Sequence, residues 1–313
     1  MAFSNVLPDP VNKITDAGVA DSGIGTAGPG FASVNFRSQR DTQLSRTLSG
    51  RGVPRSSGSQ AWEIDIKYNP LTRDEFEPVY SFLLSRNGRR SAFYVALPQY
   101  ASSRSSTFAA TAAAYPIYLQ TAASAGASSI IIKHLSMAGS PKPGDMFTLT
   151  DPTDTNHVKA YRITRVETDT VYETAGLANT QKRIHFTPPL TRDTAIGLTN
   201  ITTTSVATNI FTLAAHGLAV NQMLRLISGG SGLTVDQIYY VKTAPSSSTF
   251  TVSATLGGAT STVTTNAVFT PTPTLPVFTN PKIRCVLKSD VQEYDLQTNN
   301  LFQFGLSLEE LLP

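Results

Sequence analysis

The chain has 313 residues, 15% of them charged, with 25 Lys/Arg against 22 Asp/Glu for a net charge of +3. That length suits two or three domains of ~100–150 residues. No apolar run approaches the ~20 residues of a membrane-spanning helix, and the opening MAFSNVLPDPVNKITDAG lacks the basic-then-apolar order of a signal peptide.

A charge content below the ~25% usual in soluble domains, with Ser, Thr, Ala and Gly in excess, describes many short strands joined by polar turns. Residues 1–30 are rich in Pro, Gly and Ala and lack periodicity, so they read as a flexible arm. Phe31 to Phe36 alternates as a first strand. Arg37 to Ser59 is polar and reads as a loop or a long β-hairpin reaching off the body. It carries Arg37, Arg40, Arg46, Arg51 and Arg55 against one acid, Asp41. Trp62, Ile64, Ile66 and Tyr68 then alternate with Glu63, Asp65 and Lys67, the period of a strand with one buried face. Asn69-Pro70 ends it, and Thr72-Arg-Asp-Glu75 has the form of a capping box. Phe76, Val79, Tyr80, Leu83 and Leu84 share one helical face, and Asn87-Gly88 is the stop signal. Pro78 has no N–H to donate, which predicts that it lies near the first turn. A further strand is predicted at Ala92 to Leu97.

Gln99 to Ala114 reads as a linker. Strands are predicted at Tyr115–Leu119, Ser129–Lys133, Met146–Leu149, Val158–Val166 and Arg183–Phe186, giving a partly open antiparallel barrel over 115–197. A second β module over 198–276 has strands at Ile210–Leu213, Gln222–Ile227, Gln237–Lys242, Thr249–Ser253 and Thr262–Phe269. Pro271-Thr-Pro-Thr-Leu-Pro276 reads as a stiff return linker. In Lys282–Leu287 the one cysteine, Cys285, takes a buried strand position, which fits folding in a reducing cytoplasm. Leu301 to Leu308 alternates like a sheet strand without a local hairpin partner. The fold class expected is all-β with one short helix: a discontinuous, β-sandwich-like N/C domain (31–110 plus 277–313) carrying two inserted small β domains.

The strand W-x-I-x-I-x-Y at Trp62, the L-T before a short helix, its basic G-x-R turn and the following F-Y strand resemble the core of the distal tail (baseplate hub) proteins of long-tailed bacteriophages. Phe302-Gln-Phe-Gly-Leu-Ser-Leu-Glu-Glu310 resembles their closing strand. The likeness covers roughly 31–100 and 277–310, and the two inserts are similar to β modules of phage tail and structural proteins. The resemblance implies a structural virion protein at the tail tip or baseplate, made in the host cytoplasm. It implies a ring, usually a hexamer, joining the tail tube to baseplate or receptor-binding parts. In such a ring one subunit face must complement a different face of its neighbour. The candidates are the basic stretch Arg37, Arg40, Arg46, Arg51 and Arg55 and the acids Glu63, Asp65, Glu309 and Glu310. Two other readings stay open: a baseplate wedge or tail terminator of the same particle, and a host-surface carbohydrate-binding module built on the inserts.

Catalytic chemistry finds little support. His134, His157, His185 and His216 are scattered, without metal-ligand spacing, and are predicted on the surface or in turns; His216 before Gly217 is placed to hydrogen-bond the backbone. Glu63 and Asp65 share a strand face as a glycosidase pair could, but Lys67 continues that face as a solvated or Arg-paired surface would. Asp151-Pro-Thr-Asp154-Thr-Asn156 lacks the glycine and terminal glutamate of a calcium loop. Gly229-Gly-Ser-Gly232 is not followed by the Lys-Ser/Thr of a phosphate loop. No enzyme activity, metal or cofactor is expected. Nucleic acid is not expected as a partner either, since a denser basic surface with aromatics would be needed.

Overall fold

A computed structural model describes residues 5–14, 27–40, 42–56, 60–173 and 176–312. The chain is mostly β. Its strands in order are β1 Phe31–Gln39, β2 Thr42–Arg46, β3 Gly52–Ser56, β4 Ala61–Tyr68 and β5 Phe93–Ala96. Then come β6 Tyr118–Leu119, β7 Ser129–Lys133, β8 Met146–Thr150, β9 Ala160–Glu167 and β10 Gln181–Thr187. Next are β11 Ile201–Thr202, β12 Ser205–Ala207, β13 Ile210–Thr212, β14 Met223–Gly229, β15 Ile238–Ser246, β16 Thr249–Ser253 and β17 Ala267–Pro271. The last are β18 Leu275–Val277, β19 Lys282–Leu287, β20 Tyr294–Leu296 and β21 Phe302–Glu310. Among the described residues two α-helices join them, α1 Arg73–Leu84 and α2 Ser106–Ala114.

The chain divides into two compact units, 1–101 with 158–160 and 280–313, and 102–157 with 161–279. In the first, strands far apart in sequence form one sheet in the order β1-β4-β21-β19-β5, with β20 added beside β21. Register explains the burial. Ile64 faces Leu308 and Ile66 faces Leu306 across β4 and β21, so the inward side chains of both strands meet in one apolar layer with Trp62. Helix α1 covers that layer with Phe76, Val79, Phe82 and Leu83. Phe76 stacks on Phe302 at 4.5 Å between ring centroids, with the planes 7° apart. The buried stripe is rotated from the predicted one: Phe82 goes inward and Leu84 is exposed.

At the start of α1 the Glu75 carboxylate accepts from the Thr72 N–H at 2.9 Å and its hydroxyl at 2.8 Å. Those bonds hold the Glu75 carboxyl below its ordinary range. Pro78 lies inside the helix rather than in its first turn, leaving the preceding turn without one backbone bond. The stop falls as predicted, with Asn87 at φ 54° and Gly88 at φ 65°.

The flexible arm expected over 1–30 falls partly outside the described residues, and its described part is anchored. The Leu7 N–H donates to the Tyr94 carbonyl at 2.8 Å, and Leu7 and Ile14 are buried. Asp9 ties its own turn by accepting from the N–H groups of Val11 and Asn12. A Cβ on Gly28 would come within 2.5 Å of the Pro8 carbonyl carbon; the absence of a side chain permits that approach.

In the second unit β18-β8-β9-β10-β7-β6 form an antiparallel sheet. Its two ends approach each other: the Leu119 N–H at one end donates to the carbonyl of Thr274, just before β18 at the other, at 3.0 Å. The result is a nearly closed barrel filled by Phe108, Phe147, Tyr161, Ile184, Phe186 and Phe278. Two elements correct the expected linkers. Residues 106–114 form α2, capped by Ser105, whose Oγ accepts from the Phe108 N–H at 3.4 Å. The Pro-rich return contains β18, paired with β8. The second sheet, β11-β17-β14-β15-β16-β13-β12, has its own core around Phe211, Phe250 and Phe269. The barrel draws Phe108 and Phe278 from outside 115–197, and β18 from the return. A fragment 115–197 is therefore expected to collapse without dispersed amide resonances, whereas 102–279 gives a dispersed spectrum and one cooperative melt. A dispersed spectrum from the shorter fragment would contradict this.

Candidate functional site

Strand parity fixes the outer face of the first unit's sheet. With Trp62, Ile64, Ile66 and Tyr68 turned inward, Glu63, Asp65 and Lys67 turn outward, and β1 places Arg37 directly opposite Glu63. Arg37 Nη2 lies 2.8 Å from Asp65 Oδ2 and 3.4 Å from Glu63 Oε2. Lys288 Nζ reaches Glu63 Oε1 at 2.9 Å, and the Ser307 hydroxyl donates to Asp65 at 2.8 Å. Further along, Arg89 Nη2 meets Glu309 Oε1 at 2.6 Å, and the Arg89 N–H donates to Asp290 at 2.9 Å. Thus Glu63, Asp65 and Glu309 each have an intrachain cation. The Glu63 side chain, 15% exposed between Arg37 and Lys288, is the most enclosed of the three; the more open Asp65 and Glu309 pairs contribute ~0–1 kcal/mol apiece, so they can exchange partners at little cost.

Glu310 is different and corrects the expectation of a surface carboxylate. It is in phase with Leu306 and Leu308 and turns inward. Its Oε2 accepts from the Lys159 ammonium, and from the Trp62 N–H at 3.1 Å. Lys159 Nζ also donates to the Gln60 carbonyl at 2.6 Å. The two side chains are 1% and 0% exposed. Burial pushes the Glu310 carboxyl up and the Lys159 ammonium down, in each case against the pull of the partner. Burial also raises the thiol of Cys285, which stands opposite Glu310 in the sheet.

The arginine-rich stretch is a hairpin. β2 and β3 pair as a two-stranded sheet of their own, with Leu44 opposite Pro54 and Arg46 opposite Gly52. In its turn the Thr47 N–H donates to the Arg51 carbonyl at 3.0 Å, and Gly50 sits at φ 80°. Every residue of β2 is exposed. Pairing places Arg46 on the face of Leu44 and Pro54, and Arg55 on the opposite face beside Gln43; the arginines are not gathered into one patch. Arg40 stands apart, donating to Gln60 Oε1 at 2.9 Å. Among the described residues, Arg46, Arg51 and Arg55 meet no carboxylate; Asp41 lies outside them. Arginine counting passed over Leu44 and Leu48, which are 63% and 112% exposed. The signal for them was present, since two leucines have no solvent role in a hairpin made largely of Ser, Thr, Gln, Gly and Arg.

Of the surface or turn positions expected for the histidines, His134 and His157 take turns, with the Met137 N–H donating to the His134 carbonyl and the His157 N–H to the Asp154 carbonyl, but both are buried, and His157 Nε2 pairs with the Tyr161 hydroxyl at 2.8 Å. His185 Nε2 lies 2.8 Å from Glu167, which also holds Arg183 at 2.9 Å. His216 receives the Leu218 N–H at 3.0 Å, the predicted backbone contact. Asp151 closes its own turn on the Thr153 N–H at 2.9 Å. Among the described residues no three His, Cys, Asp or Glu side chains gather as a metal site, and no helix is long and apolar enough to cross a membrane. Neither a scan of protein-family models nor a search of curated proteins gives a match to this chain.

Proposed function

We propose that the chain is a structural subunit of a bacteriophage tail tip, a distal tail (baseplate hub) component. It joins copies of itself into a ring between the tail tube and the baseplate or receptor-binding parts. One observation carries this reading: the β2–β3 hairpin. A two-stranded hairpin is marginal in water on its own, and this one exposes Leu44 and Leu48 and carries Arg46, Arg51 and Arg55 without an acid among the described residues. Such a hairpin suits a groove on a neighbouring subunit, its leucines supplying apolar contact and its arginines meeting carboxylates. The outer sheet face, with Asp65 and Glu309 in exchangeable pairs beside Glu63, supplies acids of the needed sign. The sequence resemblance along 31–100 and 277–310 supports the same reading.

Changing Arg46, Arg51 and Arg55 together to Ala is expected to abolish ring formation by the purified chain, read as assembly mass. Melting of the monomer should stay within ~1–2 °C, because exposed side chains contribute little to folding. Desolvated arginine–carboxylate contacts cost ~2–5 kcal/mol when one partner is cut back. Leu48→Glu is expected to weaken assembly through the apolar contact. Rings of wild-type mass and yield from the triple variant would refute the role given to the arginines.

A further inference from the structure

The second unit contains a cavity of about 430 Å³ that the assembly role does not use. Its walls come from the segment after α2, the turn after β7, the start of β15 and the turn after β16. The size falls within the ~300–1,000 Å³ range of small-molecule sites.

Tyr115 forms one wall. The residue is 48% exposed, yet its ring stacks on His134 with centroids 5.0 Å apart and planes 21° apart. A buried imidazole thus supports an exposed phenol, so little rotamer freedom is left to lose when something covers the ring. The Ser136 N–H donates to His134 Nδ1 at 3.1 Å, leaving the proton of the neutral ring on Nε2. Burial holds the His134 imidazole below its ordinary value, so the ring is neutral near pH 7. Tyr240 lines the cavity as a second aromatic. Strand alternation turns it away from the core that holds Tyr239 and Val241. The polar residues Ser136, Gln237 and Thr255 complete the lining.

The character of this lining selects the ligand. No Asp, Glu, Lys or Arg lines the cavity, so neither an anion nor a cation finds a counter-charge. A purely apolar ligand would cover hydroxyl and amide groups without replacing their hydrogen bonds, which costs affinity. A neutral pyranose satisfies both halves of the surface. Its C–H face lies against an aromatic ring, while its hydroxyls give and take hydrogen bonds around the edge.

We propose that this cavity, with Tyr115 as its stacking platform, is a binding site for a neutral saccharide. The proposal stands apart from the ring-assembly role, and either can fail alone.

The test is saturation-transfer NMR on the full chain with methyl β-glucoside, methyl β-galactoside, N-acetylglucosamine, cellobiose and lactose, and with sialyllactose as the acidic control. At least one neutral sugar is expected to receive saturation at its ring C–H positions, with a dissociation constant on the order of 1 mM. Tyr115→Ala is expected to weaken that binding at least tenfold. Tyr115→Phe, which keeps the platform and the fold, should retain most of it. Absence of transfer to every neutral sugar at 10-fold the expected constant would overturn the proposal. So would binding unchanged in Tyr115→Ala, or lost equally in Tyr115→Phe. Binding of sialyllactose alone would overturn the neutral assignment.

Discussion

Removal of residues 301–313 is expected to unfold the first unit completely. β21 is not an edge strand: it lies between β4 and β19, so its loss cuts the sheet into β1-β4 and β19-β5. Phe304, Leu306 and Leu308 leave with it, all buried. At ~1.5–3 kcal/mol each they represent roughly 5–9 kcal/mol, comparable with the ~5–15 kcal/mol that holds a typical domain. The cut also bares the edges of β4 and β19, a template for aggregation. Trp62, the one tryptophan, is buried beside the missing strand, so its fluorescence should shift to the red as the shortened chain loses its cooperative transition. A soluble shortened chain with blue-shifted Trp62 emission and an intact melt would show that β21 is dispensable. The graded counterpart is Leu308→Ala, expected to cost ~2–5 kcal/mol by leaving a cavity at a fully buried position.

That dependence on β21 was partly legible in the amino-acid order. The alternation through Phe304, Leu306 and Leu308 identifies a strand with one buried face, as it does for Trp62 to Tyr68. The same parity, carried two residues further, would have turned Glu310 inward and Glu309 outward. A glutamate at the end of a chain reads more readily as solvated, and its partner Lys159 lies 151 positions away. Pairings of that kind depend on register between distant strands, and local pattern does not encode register. Hence the ladder of Arg37, Glu63, Asp65 and Lys288 could not be assembled from spacing alone. β20 escaped notice because all its residues are exposed, and a strand without a buried face shows no alternation. β18 was hidden by Pro276 and the prolines just before it. Pro276 pairs with Leu149 on the last strand of the sheet order, a place where a missing donor is tolerated. The small, Ala-rich α2 has no apolar stripe, burying only Phe108 and Thr111; the Ser105 cap was its one sequence signal.

The Lys159–Glu310 pair should behave asymmetrically when altered. Lys159→Ala or Glu310→Ala is expected to cost ~3–5 kcal/mol, because each leaves the opposite charge buried without compensation. Changing both, Lys159→Met with Glu310→Leu, is expected to leave stability within ~1 kcal/mol of the wild type or to raise it by up to ~4 kcal/mol. The physical reason is visible in both partners. Loss of hydration outweighs mutual attraction for each, since the carboxyl is raised and the ammonium lowered despite their contact. The pair therefore contributes specificity more than stability: it requires that β21 end with Glu310 opposite Cys285, and a one-residue slip would bury Glu309 instead. Acid titration carries a sign that separates the two side chains. Glu310 has a folded-state pKa above its unfolded-state value, so between those values the folded state holds the extra proton. Stability drawn from this group is present below the unfolded value and is lost as pH rises through the folded one. Lys159, with its folded-state value below the ordinary lysine value, acts in the opposite sense at alkaline pH, where rising pH relieves its cost. Urea unfolding followed by Trp62 fluorescence across pH 4–8 should therefore show the double variant gaining on the wild type as pH rises. A double variant that loses ground to the wild type as pH rises, or single and double variants of equal stability, would mean that the pair is held by net attraction and not by the geometry of the closing strand.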